Sequence, residues 1–188
     1  MIQQSDTPSP QIASQLNWPN KITLIRIFLI PILLVFLMSP HGWYPIIAAT
    51  IFVIAAFTDW LDGHLARTTN QITRLGQLLD PIADKLLVTA ALVSLVGRQQ
   101  VPAWIVVVIL CRELTITGLR ALAADRGVII AAEVYGKYKL VFLILGILFL
   151  MLNVPLLYLP GIVALYIGML LSVVSGMDYL RKYLVKIL

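Results

Sequence analysis

Four aspartates stand close together in a sequence that has few acids. Asp59, Asp62, Asp80 and Asp84 are four of only nine acidic residues among 188. The segments before and after them are strongly apolar. A carboxylate in such surroundings costs on the order of several kcal/mol unless it is paired or binds a metal. We therefore interpret this segment as a functional site.

The spacing of the four acids predicts a site for two divalent cations. Asp59 and Asp62 are three residues apart and Asp80 and Asp84 are four apart, so on helices each pair lies on one face. Four carboxylates brought together without cations would repel one another and could not all ionise. Mg²⁺ or Mn²⁺ would relieve the repulsion and keep positions for water and phosphate. Two such ions suit a phosphoryl displacement.

Two other interpretations compete with this site. The acids could form a structural cluster balanced by Arg67, Arg74 and Lys85, but one structural ion pair does not need four acids at helical spacing. The protein could also be a cation transporter that uses the acids as its binding site. No pair of segments has the symmetric interruptions of inverted-repeat transporters, and the acids are expected at helix ends rather than mid-membrane.

The composition predicts an integral membrane protein of one domain. Hydrophobic residues make up 60% of the chain and the mean hydropathy is +0.94, against an apolar share of ~45–50% in soluble domains. The net charge of +5 does not indicate nucleic-acid binding, because the basic residues lie between apolar segments. Cys111 is the only cysteine, which excludes an intrachain disulfide, and we expect it to pack as a small core residue.

Apolar segments of about 20 residues, as membrane spans require, predict an all-α fold with six transmembrane helices. Residues 1–18 are expected to form an N-terminal tail with a short interfacial helix over Gln11–Trp18. Residues 19–188 then form the six-helix domain. The first helix is long enough only if residues 18–21 extend it. The six predicted helices are Ile22–Met38, Trp43–Leu65, Leu75–Val96, Val101–Ala123, Val134–Asn153 and Leu159–Leu184.

The basic residues predict the orientation in the membrane. Of fourteen lysines and arginines, only Arg98 falls in the predicted connections 39–42, 97–100 and 154–158. The other thirteen lie on the opposite side. By the positive-inside rule both termini and the aspartates face the cytoplasm. We therefore expect a multi-pass protein of the cell (inner) membrane with a cytoplasmic active site.

The aspartate motif resembles the signature of the CDP-alcohol phosphatidyltransferase family. All eight fixed positions over 26 residues are filled, by Asp59, Asp62, Gly63, Ala66, Arg67, Gly76, Asp80 and Asp84. The resemblance implies a metal-dependent transferase that uses CDP-diacylglycerol, with its tails in membrane lipid. It further implies that Asp84 is the general base for the acceptor hydroxyl and that the protein is a homodimer.

The same resemblance implies contacts to CDP-diacylglycerol. The positions of Gly63 and Arg67 contact the CDP moiety, and Thr73 is expected to contact the nucleotide. Glycine also permits turns and close helix packing, which is the alternative for Gly63 and Gly76. The residues that enter the first helix are expected to help close the nucleotide pocket. The expected set is Asn20, Thr23, Gly63, Arg67, Thr73 and Gly76.

A second cluster, of basic residues, predicts a site for a phosphorylated acceptor. It comprises Arg112, Arg120, Lys137 and Lys139. Snorkelling toward anionic headgroups is the alternative, but it explains Arg112 poorly, since Arg112 lies about two turns deeper than Arg120. Glu113 most simply orients an arginine.

The residues around this cluster indicate which acceptor is used. Cys111-Arg112-Glu113, Leu119-Arg120 and Gly136-Lys137-Tyr138-Lys139 are similar to a pattern in family members that use glycerol-3-phosphate. The resemblance implies that phosphatidylglycerophosphate and CMP are the products. The same chemistry with inositol phosphate, serine or a phosphatidylglycerol stays open as an alternative.

Overall fold

The computed structural model describes residues 18–39, 42–69, 74–125 and 135–187, and side chains within 23–39, 42–58, 82–124 and 138–185. These residues form six α-helices and no strand. The prediction of an all-α fold with six helices is confirmed for this part of the chain. In order, the helices are α1 Trp18–Met38, α2 Tyr44–Thr69, α3 Arg74–Gly97, α4 Ala103–Asp125, α5 Tyr135–Met151 and α6 Pro155–Ile187.

The starts of α1 and α6 differ from the predicted ones, and each of these starts carries a proline. α1 begins at Trp18, so the extension that its length required is present, and Trp18 belongs to this helix. α6 begins at Pro155 rather than Leu159, so the predicted connection 154–158 is wrong. Pro155 is the first residue of its helix and Pro19 is the second of α1, where a missing N–H breaks no helical hydrogen bond. The predicted interfacial helix over 11–17 lies outside the described residues.

Two turns on one side of the molecule are joined by a hydrogen bond. Gln99, after α3, and Asn153, after α5, both have a positive φ, of 58° and 53°. Asparagine is among the residues that adopt this left-handed conformation most readily. The Gln100 Nε2 donates to the Asn153 Oδ1 at 2.6 Å. This bond ties the α3–α4 turn to the α5–α6 turn.

One apolar core runs through all six helices. α1 packs against α2 and α3, and α6 packs against α4 and α5. The fully buried side chains include Leu33, Phe52, Leu92, Ile105 and Ile147. Such burial contributes ~1.5–3 kcal/mol for each large side chain. This core holds the helices that carry the candidate site against one another.

Large apolar side chains also point outward. Phe28, Trp43, Leu114 and Val185 are all more than two-thirds exposed, and Leu156 is 82% exposed. Cys111 is exposed on α4, so the prediction that it packs in the core is wrong. An apolar outer surface of this extent is typical of contact with lipid or another protein.

Among the described residues, Pro155–Val185 is the one stretch that is long and apolar enough by itself to cross a membrane. Shorter apolar helices run over Thr23–Met38, Tyr44–Thr58 and Tyr138–Met151. The remaining described helices, α3 and α4, carry ionisable residues within their apolar sequences.

Backbone contact between α5 and α6 depends on Gly146. A Cβ at this position would lie 2.9 Å from the Leu165 backbone nitrogen and 3.1 Å from the Gly161 carbonyl oxygen. Small residues allow this close approach of two helices. We expect Gly146→Ala to destabilise the protein by ~1–3 kcal/mol, because backbone atoms must move apart. Thermal unfolding in detergent measures the effect.

Gly118→Ala is the matched control for this substitution. Gly118 lies on α4, where an added Cβ would meet nothing within 4 Å, and alanine favours helix over glycine. The control should therefore unfold at or above the wild-type temperature. If Gly146→Ala unfolds no earlier than Gly118→Ala, the close contact of α5 with α6 is not needed for stability.

Candidate active site

The helices α2 and α3 carry the aspartate motif. Residues 70–73 separate them, and a connection of that length spans at most ~19 Å. Each helix is about 36–39 Å long, so the two helices, which are in contact, run antiparallel. The motif therefore lies on two neighbouring helices of opposite direction.

Within each helix, the four acids lie at similar distances from the ends that the connection joins. At 1.5 Å per residue, Asp62 is about 10 Å before the end of α2 and Asp80 is about 9 Å after the start of α3. Asp59 and Asp84 are each about 15 Å from the same ends. Carboxylates spaced in this way along two neighbouring helices supply the oxygen ligands that hard divalent cations take.

The acids of α2 lie four residues farther inside their helix than the predicted bounds indicated, and those of α3 lie one residue farther inside. They stand two to three turns from the ends of α2 and α3, so the prediction that they lie at helix ends is wrong. α2 continues beyond its apolar stretch to Thr69, because Ala66 to Thr69 contains no helix breaker. The side chains of Asp59, Asp62 and Asp80 lie outside those described, and their convergence stays a prediction.

Asp84 is the acid of the motif whose side chain is described. It is half-buried and lines a cavity of about 580 Å³ between α3, α4 and α5. Most of the cavity wall is apolar, with Val88, Leu110 and Leu143 among its residues. Its polar residues are Asp84, Lys85, Thr89, Glu113, Thr117 and Lys139. The cavity wall thus contains one acid of the aspartate motif, Asp84, and one cation of the basic cluster, Lys139.

An ion-paired group forms where α4, α5 and α6 meet. The Glu113 Oε1 accepts from the Arg112 Nη1 at 2.8 Å and from the Lys139 Nζ. The side chains of Arg112 and Lys139 are only 13% and 12% exposed. Two cations held by one carboxylate leave a net positive charge beside the cavity. The structure therefore brings together two of the four residues predicted to bind an acceptor phosphate.

Arg120 and Lys137 are the other two residues predicted to bind the acceptor phosphate. Arg120 is exposed on α4, and its guanidinium carbon lies 5.8 Å from the centre of the Tyr179 ring. It does not join the ion pairs of Glu113. The side chain of Lys137 lies outside those described. The binding role of all four residues stays a prediction.

The residues predicted to contact CDP-diacylglycerol are mostly described as backbone only. Gly63 lies within α2, six residues before its end, and Gly76 is the third residue of α3. The turn alternative for Gly63 is therefore wrong, whereas close packing or ligand contact fits. Thr73 lies outside the described residues. The side chains of Asn20 and Arg67 also lie outside those described, as do those of the motif residues next to the two glycines.

Thr23 and Arg26 are two buried polar residues on α1. Each is 1% exposed, and Arg26 is the largest fully buried side chain described. The prediction from the sequence used Arg26 only for the orientation in the membrane. The signal that it overlooked is the position of Arg26 inside an apolar helix, because a charge there is a functional candidate by default.

Comparisons with known proteins agree with the motif. Residues 16–174 match the family model for CDP-alcohol phosphatidyltransferase. A Bacillus subtilis protein named CDP-diacylglycerol--glycerol-3-phosphate 3-phosphatidyltransferase is 43% identical over 182 residues, which cover 88% of this chain and 94% of that protein. Proteins of the same name from Salmonella choleraesuis and Haemophilus influenzae are 38% and 39% identical over 88% of this chain, and cover 94% and 92% of their own lengths.

Proposed function

The chain belongs to the CDP-alcohol phosphatidyltransferase family, and from this premise we propose that it transfers the phosphatidyl group of CDP-diacylglycerol to glycerol-3-phosphate. The products are phosphatidylglycerophosphate and CMP. The observation that carries the proposal is the cavity lined by both Asp84 and Lys139. It places an acid of the motif and a cation of the basic cluster around one space.

The basic cluster supports an acceptor that carries its own phosphate. Arg112 and Lys139 are two cations on one carboxylate, and a bound phosphate would balance the remaining charge. A guanidinium binds phosphate through two parallel N–H groups. Serine has no phosphate to fill this position, so it fits the cluster less well. Inositol phosphate has one and is the stronger rival acceptor.

The proposed reaction is one displacement at phosphorus. The acceptor hydroxyl attacks the β-phosphorus, the bond from that phosphorus to the oxygen of CMP breaks, and CMP leaves with the bonding electron pair. Asp84 takes the hydroxyl proton. An aspartate is a weak base in water, so it acts mainly through its position beside the acceptor.

Two divalent cations, Mg²⁺ or Mn²⁺, complete the proposal. Asp59, Asp62, Asp80 and Asp84 would hold them, and bound ions of this kind neutralise the charge of a pyrophosphate. The polar residues around them then bind and orient the two substrates. Gly63, Arg67, Gly76 and the N-terminal part of α1 are proposed to receive the CDP moiety.

We further propose that all six helices cross the membrane, with both termini and the aspartates on the cytoplasmic side. The outward apolar side chains and the placement of thirteen of fourteen basic residues support this topology. In this arrangement the tails of CDP-diacylglycerol stay in lipid while its head group enters the cavity. The proposal includes a homodimer, which the family resemblance implies, and chemical crosslinking in native membranes would test it.

CMP release with different acceptors tests the proposed function. Purified protein with CDP-diacylglycerol and Mg²⁺ or Mn²⁺ should release CMP when glycerol-3-phosphate is added. Serine, inositol phosphate and phosphatidylglycerol should give no comparable rate. A chelator should abolish the release, and added divalent metal should restore it, because four uncompensated carboxylates cannot form the site.

Each other outcome has a distinct meaning. Faster release with another acceptor would contradict the assignment of glycerol-3-phosphate. Release that survives complete metal removal would contradict the two-cation site. Cation flux into vesicles without any CMP release would favour the transporter alternative over the transferase.

A further inference from the structure

α6 presents a buried polar face to α4. Ser172, Ser175, Gly176 and Tyr179 are all buried, and their spacing of three and four residues puts them on one side of the helix. α4 and α6 pack against each other. None of these four residues belongs to the aspartate motif or to the basic cluster. Their partners on α4 show what the face does.

The first partner is Arg112. Its Nη2 donates to the Ser175 Oγ at 2.6 Å, and the Ser175 Oγ donates to the Ser172 carbonyl oxygen at 3.2 Å. Because the serine proton is directed at that carbonyl, an oxygen lone pair is left for the guanidinium. Ser175 and Glu113 together fix both terminal nitrogens of Arg112.

Gly176 provides the space in which the arginine lies. A Cβ at Gly176 would be 2.9 Å from the Arg112 Nε and 3.0 Å from its Cγ. The side chain of Arg112 therefore passes directly over the backbone of α6. A larger residue at position 176 would force the Arg112 side chain to shift, and we expect the shift to weaken the bonds that orient its guanidinium.

The second partner is Arg120. Its guanidinium carbon is 5.8 Å from the centre of the Tyr179 ring, a distance at which a cation is attracted to the face of an aromatic ring. Tyr179 is 7% exposed, so the ring itself is held by its surroundings. Both arginines of the basic cluster are thus contacted from the same face of α6.

We propose that Ser175, Gly176 and Tyr179 are positioning residues for the acceptor phosphate. They touch no substrate; they hold the guanidinium groups of Arg112 and Arg120 in place before glycerol-3-phosphate binds. Each terminal nitrogen of Arg112 has a second N–H that can donate to the phosphate. A side chain that is already ordered loses less conformational freedom on binding. The proposal rests on the proposed function, in which these arginines bind the acceptor.

Steady-state kinetics with Ser175→Ala and Gly176→Ala tests the proposal. Each substitution should raise the KM for glycerol-3-phosphate about tenfold, the scale of one hydrogen bond to a charged group. The KM for CDP-diacylglycerol should stay near the wild-type value. Gly161→Ala is the matched control on the same helix, since its Cβ would meet the Leu150 and Phe149 side chains at 3.0 and 3.1 Å instead of a cation, and neither residue lines the cavity. It should leave the KM for glycerol-3-phosphate unchanged.

A double-mutant cycle separates positioning from general damage to the fold. In an Arg112→Ala background, Ser175→Ala should cause no further rise in the KM for glycerol-3-phosphate, because it acts through that arginine. Tyr179→Leu should raise the KM for glycerol-3-phosphate a few-fold. Tyr179→Phe keeps the aromatic ring and should therefore have a KM near the wild-type value. Additive effects of Ser175→Ala and Arg112→Ala, or equal losses for both substrates, would overturn the proposal.

The wild-type enzyme distinguishes the two possible failures. If wild-type protein releases no CMP with glycerol-3-phosphate, the proposed function is wrong and the positioning role is wrong with it. If wild type is active and Ser175→Ala has a normal KM for glycerol-3-phosphate, the positioning role alone is wrong.

Discussion

Asp84→Asn is expected to lower the rate of CMP release about a thousandfold. The substitution keeps the shape of the side chain and removes its charge, so it removes one of four carboxylates and the proposed base together. General bases contribute ~10²–10⁴-fold to rates, and loss of a metal ligand adds to that. Asp84 lies half-buried against the cavity, where water replaces a carboxylate poorly. CMP release at saturating substrate measures the effect.

Asp178→Asn is the control for loss of an acid. Asp178 lies on α6 and pairs with Lys182 at 2.9 Å, and both side chains are more than a third exposed. An exposed pair of this kind contributes ~0–1 kcal/mol, so activity should stay near that of the wild type. If Asp84→Asn retained nearly full turnover, the assignment of Asp84 as base would be wrong.

A metal titration distinguishes the two proposed roles of Asp84, as a metal ligand and as the general base. If Asp84 is a ligand, Asp84→Asn should need much more Mg²⁺ or Mn²⁺ to reach its residual rate. If it is only the base, the metal dependence should match that of the wild type while the rate stays low. Asp80→Asn, a substitution at the other motif acid of α3, should show the shifted metal dependence in either case.

The six helices could be predicted because apolar runs of the required length are separated by clear breaks. The predicted bounds are wrong at α6, where a connection was predicted over residues 154–158 but the helix already begins at Pro155. Pro155 starts α6, and Pro160 lies inside it. Proline has a fixed φ that suits the first helical turn, so its presence alone does not mark a loop. Whether it begins or ends a helix depends on the tertiary packing that follows.

The candidate site was predictable where residues are close in sequence, and less so where helices meet. Spacing indicated that Arg112 is too deep to serve only as a surface charge, and the structure places it in an ion pair with Glu113. Nothing in the sequence pairs Arg112 with Ser175, 63 residues away. Such contacts depend on how helices rotate about their axes, which apolar periodicity defines weakly when a helix is apolar all round.

Arg26 shows a different reason for an incomplete prediction. The positive-inside rule accounts for a cation by the side of the membrane on which it lies. It gives no information on whether the side chain points outward or into the protein. Arg26 points inward and is 1% exposed, next to Thr23 on the same face of α1. A charge count therefore concealed a buried polar position on α1.

Arg112→Ala is expected to raise the KM for glycerol-3-phosphate about a hundredfold, which corresponds to about 2.8 kcal/mol at 1.4 kcal/mol per factor of ten. The loss has two parts. The phosphate loses a guanidinium that can bind it through two N–H groups, and Glu113 keeps only Lys139 as a partner. Lys139 is then more fully neutralised by the carboxylate, so it attracts the phosphate less. The KM for CDP-diacylglycerol should change little.

Arg112→Lys tests whether geometry or charge matters more at this position. Lysine keeps the positive charge but has no planar fork, and it is too short to reach Ser175 and Glu113 together. If fixed geometry binds the phosphate, Arg112→Lys should behave much more like Arg112→Ala than like the wild type. A near-normal KM for Arg112→Lys would mean that charge alone suffices. Because the two terminal nitrogens of Arg112 donate to two different partners, Glu113 and Ser175, we expect geometry to dominate.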